Sequence, residues 1–330
     1  MKKVLTAILA VVALLGCNNE NTPNVPAELD AISFGTVDTR AGLSDLQTNG
    51  FGVWAFVNNT TLQNDLLMEN VHVEYVDEDN QWIYSPVKYW IPESVFTFVG
   101  VYPYNDPCFS TDAENAAVTL NVNETPAQTD YLIAENLTDT SDVGLGSVVS
   151  LQFQHVFTSV GLNIWRDEAK HTNDQMRITK VTLSNIRKGG VYTTADDTWS
   201  YSNNKLSVEY VNETLADDDN IGGAFKQDNG SLVTGGIAVN PFGQMMLLPQ
   251  TLDSSNSVAL KIEYQLKRQN AADWETAELE TVLPSMTWNA GQRYTYNVVL
   301  SSVTDITVYY IQTKVDQWGT PQVGGTVIIK

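Results

Sequence analysis

Apolar residues fall in short bursts along this chain, and the bursts have the period of strands rather than helices. Ile32 and Phe34 alternate with Ser33 and Gly35, giving one apolar face to a strand that runs on to Val37. Residues 51–57, Phe-Gly-Val-Trp-Ala-Phe-Val, are apolar throughout and predict a strand covered on both faces, ended by Asn58-Asn59. Residues 71–76 and 81–84 flank Asp77-Glu78-Asp79-Asn80 and predict a hairpin. Further strands are predicted over residues 95–102, closed by Pro103, and over residues 130–134. Near Val148 the pattern begins again. Residues 149–156 alternate, and strands follow at 160–165, 177–186, 235–239, 244–248, 258–266, 294–300 and 306–311. Helical periodicity is scarce, and its best instance is residues 62–69. Many short strands separated by Gly, Asn and Asp turns predict an all-β chain of antiparallel sandwiches. No internal repeat points to a solenoid or propeller.

The N-terminus breaks this pattern. Met1-Lys2-Lys3 is basic, and residues 4–15 are apolar apart from Thr6. That run is too short to span a bilayer and leads into polar residues, so it reads as an export signal. It ends in Leu14-Leu15-Gly16-Cys17, which resembles the bacterial lipobox. The resemblance implies removal of residues 1–16, acylation of Cys17 and attachment to the outer membrane through lipid, with two acyl signals giving a durable hold. Residues 17–30, rich in Asn, Pro and Glu, read as a flexible tether.

Composition narrows the function. The chain has 330 residues, enough for one or two domains, and 43% are hydrophobic, enough for real cores. The formal net charge of −21 repels phosphate backbones and counts against nucleic-acid binding. With Cys17 assigned to acylation, Cys108 stands alone, so no disulfide framework or zinc spacing can be built. Cys108 reads as a semi-buried loop thiol. His72, His155 and His171 lie in no metal spacing, and His155 reads as a structural hydrogen-bonding group on its strand. There is no nucleophile elbow and no phosphate-binding loop. Asp217-Asp218-Asp219-Asn220 lacks the Gly and Glu placement of a calcium loop and reads as a solvated turn. No catalytic residue, metal or cofactor is expected, and the chain reads as a structural or binding protein rather than an enzyme. The aromatic stretch from Trp82 to Tyr104 reads as core packing.

Several segments, in order, carry a family pattern. They are Trp82-Ile83-Tyr84-Ser85-Pro86 with Lys88-Tyr89-Trp90, the aromatic strand that ends in Tyr102-Pro103, Asp130-Tyr131-Leu132-Ile133-Ala134, and Leu151, Phe153 and His155 at alternate positions. Leu247-Leu248-Pro249-Gln250, the Trp288 to Tyr296 segment and Val315-Asp316-Gln317-Trp318 complete the set. Through them the chain resembles the fimbrillin-like proteins of Bacteroidetes, subunits of protease-assembled pili. The resemblance implies two Greek-key β-sandwich domains of transthyretin-like topology, here residues 31–148 and 149–330. It also implies that an arginine-specific protease cuts between Arg40 and Ala41, removing the first strand with Ile32, Phe34 and Val37. An apolar groove with unpaired backbone groups would remain, open to a strand from another pilus subunit. The C-terminal run with Val327, Ile328 and Ile329 is apolar and β-branched, preceded by Gly324 and Gly325, and is the donor-strand candidate. The expected partners are other pilus subunits and the protease, and the expected place is the outer membrane first and the fimbrium afterwards. The competing reading is a surface-anchored lipoprotein that binds glycans or host matrix, or an anchor or accessory subunit that keeps its lipid.

Overall fold

The computed structural model describes residues 30–35, 43–215, 220–226, 232–301 and 306–314. Over these residues the chain is all β, with three short helices. Cys17, Val37, Arg40, Ala41, Val327, Ile328 and Ile329 lie outside the described residues, as does most of the 217–220 acidic turn.

The first half carries β1 (Ser33–Phe34), α1 (Leu43–Asn49), β2 (Phe51–Asn58), β3 (Asp65–Val76), β4 (Gln81–Tyr84) and β5 (Val95–Tyr102). It continues with β6 (Phe109–Asp112), β7 (Ala117–Val122), β8 (Leu132–Asp139), α2 (Thr140–Val143), β9 (Val148–Val149) and β10 (Gln154–His155). One six-stranded antiparallel sheet, in the order β10-β8-β5-β2-β3-β4, runs through its middle. This sheet is covered on both faces, which explains the unbroken apolar run of β2. Phe51, Val53, Ala55 and Val57 face one core, while Trp54 and Phe56, on alternate positions, face another. The first of these cores is closed by β1, β9 and α1 through Ile32, Phe34, Leu46 and Val149. The second is closed by β6, β7 and residues from further along the chain.

The second half carries β11 (Thr158–Asp167), α3 (Glu168–His171), β12 (Gln175–Arg187), β13 (Gly190–Thr193), β14 (Thr198–Tyr201) and β15 (Lys205–Val211). Then come β16 (Gly223–Lys226), β17 (Leu232–Gly235), β18 (Gln244–Leu247), β19 (Gln250–Leu252) and β20 (Ala259–Lys267). The last are β21 (Glu275–Val282), β22 (Met286–Trp288), β23 (Gln292–Leu300) and β24 (Ile306–Lys314). One sheet runs β17-β16-β11-β23-β24, with β18 also on β11, and the other runs β15-β12-β20-β21. A third core lies between them. Leu260, Ile262, Tyr264 and Leu266 of β20 point inward at every second position, against Val160, Leu162 and Ile164 of β11.

One hairpin crosses from the second half to the first. β13 pairs with β7, so the four-stranded sheet over the second core has the order β14-β13-β7-β6. Tyr192 and Trp199 of the hairpin pack there beside Phe157 and Leu120.

Three segments differ from the sequence expectation. Residues 62–69 are not helical: Asn59 Oδ1 accepts the Thr61 and Leu62 amides, both at 2.8 Å, and the chain turns into β3 at Asp65. An isolated helix of two turns is costly to nucleate, whereas β2 offers a ready ladder. Residues 149–156 are not one strand. They divide into β9 and β10 because Leu151 and Phe153 between them turn into the first core. Residues 235–239 are not a strand either. β17 ends at Gly235, Gly236 takes a φ of 81°, and Val239 makes only a lone bridge to Ile164. One helix escaped notice: α1 ends at Gly50, whose φ of 69° suits glycine and whose amide donates to the Leu46 carbonyl at 2.8 Å.

Candidate functional site around the first strand

The segment 30–35 lies between two short stretches of backbone and completes the first core. On one side it runs antiparallel to residues 88–90: the Ile32 amide donates to the Lys88 carbonyl at 2.9 Å, and the Trp90 amide donates to the Asp30 carbonyl at 3.0 Å. On the other side β1 runs parallel to β9, with Ser33 opposite Val148 and Phe34 opposite Val149. There the Gly35 amide donates to the Val149 carbonyl at 3.0 Å. Gly35 fits because of its missing side chain: a Cβ would stand 2.5 Å from Val148 Cγ1.

Alternation decides which side chains enter. Ile32 and Phe34 are 2% and 5% exposed, while Ala31 and Ser33 face solvent. The Phe34 ring meets Phe51, Tyr84 and Phe98 edge-on, with centroids 6.3, 5.5 and 6.2 Å away. Trp90 sits fully buried beside Phe96 and Phe98 and walls the same space. Tyr84 closes the polar side. Its hydroxyl donates to the Ile32 carbonyl at 2.8 Å and accepts the Lys88 amide at 3.2 Å. Burial pushes this phenol above its ordinary value, partly opposed by the hydrogen bond from Lys88, so it stays a donor.

Exposed apolar residues border the strand on both flanks. Ile83, Val87 and Tyr89 lie on the side of residues 88–90, and Val143, Leu145 and Val148 on the side of β9. Removing the strand would therefore leave a trough with an aromatic floor and two walls of unpaired backbone. Of the residues expected from sequence to form the displaced strand, Ile32 and Phe34 lie together in this seat, and Val37 is outside the described residues. The seat itself, Tyr84, Lys88, Trp90 and Val149, had no such reading. Its only trace in the sequence is the cluster Tyr84-Ser85-Pro86 with Lys88-Tyr89-Trp90.

At the other end of the chain, β24 is the edge strand of its sheet and pairs antiparallel with β23 along its whole length. The backbone entering it is held at Ser301. The buried His171 places Nε2 3.2 Å from the Ser301 carbonyl and Nδ1 2.9 Å from Asp174 Oδ2. Arg166 donates to the carbonyls of His171, Asp174 and Ile221 and pairs with Glu168 at 2.8 Å, which fixes α3 beneath the junction. The hydrogen bond from His171 holds the Asp174 carboxyl below the ordinary carboxylate value.

The remaining chemistry-bearing residues have structural partners. His155 is buried and bonded to Asp130 at 2.9 Å, as its strand position suggested. Cys108 is half-buried just before β6, with its thiol pushed up by burial. Trp82, Trp90, Phe96 and Phe98 of the aromatic stretch are core residues. Among the described residues no group of His, Cys, Asp and Glu could hold a metal ion. No described helix is long and apolar enough to cross a membrane.

Comparison with known proteins agrees with this architecture. The model of the fimbrillin-like family matches residues 39–318. A fimbrial protein from Bacteroides vulgatus is similar in structure, with a TM-score of 0.62 and 19% identity over 86% of this chain and 99% of that one. A fimbrial assembly protein from Parabacteroides distasonis aligns over 91% of this chain and 98% of its own, at 12% identity and a TM-score of 0.43. No curated protein matches the chain. With the family model spanning most of its length, the chain belongs to the fimbrillin-like family.

Proposed function

We propose that this chain is a pilus subunit that polymerises by strand exchange. It is exported as a lipoprotein acylated at Cys17 and held at the outer membrane. An arginine-specific protease then cuts after Arg40, and the segment with Ile32 and Phe34 leaves its seat. A strand from another subunit takes its place by β-augmentation. The apolar C-terminal run with Val327, Ile328 and Ile329 is the donor. The division into two transthyretin-like units near Val148 belongs to the same reading, with the hairpin β13–β14 reaching across it.

The observation that supports this best is the seat. Six residues of chain, bonded on both sides, carry two buried side chains that complete a core. Burial of an Ile and a Phe is worth about 1.5–3 kcal/mol each, so the emptied trough would be a strong acceptor for any strand with apolar residues at alternate positions. Arg40 follows Gly35 by five positions, close enough that one cut frees the strand from the rest of the fold.

Limited trypsin digestion of the purified precursor tests the reading, with the new N-terminus determined by mass spectrometry and oligomers resolved on an unboiled gel. The expected result is a chain that begins at Ala41 and a ladder of multimers, both lost in Arg40→Ala. A chain that is cut at Arg40 yet stays monomeric, or an Arg40→Ala variant that polymerises normally, sinks it.

A further inference from the structure

A polar cleft of about 470 Å³ opens where three segments meet: the end of β7, the turn from β12 into β13, and the exit from β14 toward β15. That volume falls within the roughly 300–1,000 Å³ of small-ligand sites. Its wall is fixed by the backbone. The Lys188 amide donates to the Asn204 carbonyl at 3.1 Å, and the Ser202 amide donates to the Gly189 carbonyl at 2.9 Å. Glycine is needed at this crossing, because a Cβ on Gly189 would stand 2.5 Å from the Val122 carbonyl oxygen. The cleft thus belongs to the junction between the two halves and does not involve the seat of the first strand.

Its lining is unusual for this chain. Asp and Glu number 39 against 18 Lys and Arg, yet no carboxylate lines the cleft. Amide and hydroxyl groups from Asn121, Asn123, Ser200 and Asn204 surround one cation, Lys188, and one aromatic ring, Tyr201. Two more cations stand behind them. Arg187 stacks its guanidinium 4.1 Å from the centre of the Tyr201 ring, and Lys205, its register partner on β15, donates to Asn256 Oδ1 away from the cleft lining. None of the three cations has an ion-pair partner among the described residues. Burial and the neighbouring Arg187 both push the Lys205 ammonium below its ordinary value, as expected where positive charges gather without a counterion.

We infer that this cleft binds an acidic saccharide. Side-chain amides and hydroxyls both donate and accept, which suits the hydroxyls of a sugar. Tyr201 carries Arg187 on its ring face and lies parallel to Trp199, so it holds the guanidinium in place rather than stacking on a sugar. Lys188, with Arg187 behind it, supplies the charge for a carboxylate or sulfate group. The chain's net negative charge does not forbid this, because at physiological salt the field of distant carboxylates is screened within about 8 Å. A nucleic-acid strand would have to run its charge over the acidic surface beyond the cleft, whereas a short saccharide makes only the local contact.

The test is binding of the full chain, immobilised in detergent, to three probes at physiological salt: a heparin-derived hexasaccharide, trigalacturonate and maltotriose. At least one acidic probe binds about tenfold or more tightly than maltotriose, and which one binds tells sulfate from carboxylate recognition. Lys188→Glu and, independently, Asn204→Asp each weaken that binding about tenfold or more. Lys170→Glu, which makes the same charge change at an exposed position of α3, leaves it unchanged. Asn204 is exposed, so its substitution keeps the test valid if Lys188→Glu fails to fold. Absence of binding by both acidic probes, equal binding of maltotriose, or equal weakening by Lys170→Glu and Lys188→Glu overturns the inference.

Discussion

The hydroxyl of Tyr84 donates a hydrogen bond to the carbonyl of Ile32, 2.8 Å away and 52 positions apart in sequence. The same oxygen receives the amide of Lys88 at 3.2 Å. One side-chain atom therefore serves both the first strand and the stretch beside it. Tyr84→Phe orphans a carbonyl and an amide at once, at a cost of about 1–3 kcal/mol. The expected outcome is a lower midpoint in urea unfolding of the precursor and faster loss of the first strand after trypsin, followed by mass spectrometry. An unchanged midpoint would remove Tyr84 from the seat's energetics.

The two faces of the first strand differ sharply. Phe34→Ala empties the contact with Phe51, Tyr84 and Phe98 and should cost about 3–5 kcal/mol. Ser33→Ala, on the exposed face, should stay within about 0.5 kcal/mol of the parent. Equilibrium denaturation of the uncut chain measures both, and equal effects would mean that the strand is not seated as described.

His171 ties the backbone before β24 to α3. In His171→Ala the Ser301 carbonyl and Asp174 lose a shared partner, about 1 kcal/mol for each hydrogen bond. Amide hydrogen exchange should rise through residues 306–314 while β23, bonded on its other side to β11, keeps most of its protection. Uniform loss across both strands would show that the histidine supports the whole sheet rather than its last strand.

Asp174 gives this junction a pH dependence of known sign. The hydrogen bond from His171 is the main cause of its lowered value, burial opposes it, and the Gln269 amide at 2.8 Å adds to it. Its contribution to stability is complete above the ordinary carboxylate value of 3.8 and is lost as pH falls through the lower folded-state value. Asp174→Asn should lower the melting temperature at pH 7 and shrink the difference between pH 7 and strongly acidic solution. A parallel downward shift at all pH values would count against this account.

The hairpin β13–β14 is expected to make the two halves unfold together. Tyr192 is buried in a core built mainly by the first half, and its hydroxyl meets Asp197 at 2.6 Å. Calorimetry should show a single transition in the parent, with a ratio of calorimetric to van't Hoff enthalpy near one. Tyr192→Ala should lower or split it. Two separate transitions in the parent would mean that the hairpin contributes little.

The strands that the sequence revealed are those whose side chains declare their burial locally. β2 is apolar on both faces because it lies inside a covered sheet, and β20 alternates because only one of its faces meets the third core. The hairpin over Asp77-Glu78-Asp79-Asn80 was legible for the same reason, with Asn80 at a φ of 52° making the turn. What stayed hidden depends on distant partners. Nothing near Gly190 or Thr193 says that they pair with β7 and close a core of the other half. The leucines at 62, 66 and 67 imitate a helical stripe, and only the presence of β2 decides for a strand. Ile32 and Phe34 could be read from their alternation, but the carbonyls and amides that hold them could not, because residues 88–90 contribute mostly backbone.

The Val118 amide donates to Thr194 Oγ1 at 3.0 Å, although the two residues are 76 positions apart. A chain that emerges N-terminus first must therefore wait for the hairpin before the outer sheet of its first half can close. During that interval the face of β2 and β5 with Trp54, Phe56, Val99 and Val101 has only β6 and β7 of its first-half cover and lacks Tyr192 and Trp199. The newly made chain thus leaves part of this apolar face open for a time fixed by its own topology, and an escort that shields apolar sheet surface until the hairpin arrives would raise the yield of folded chains.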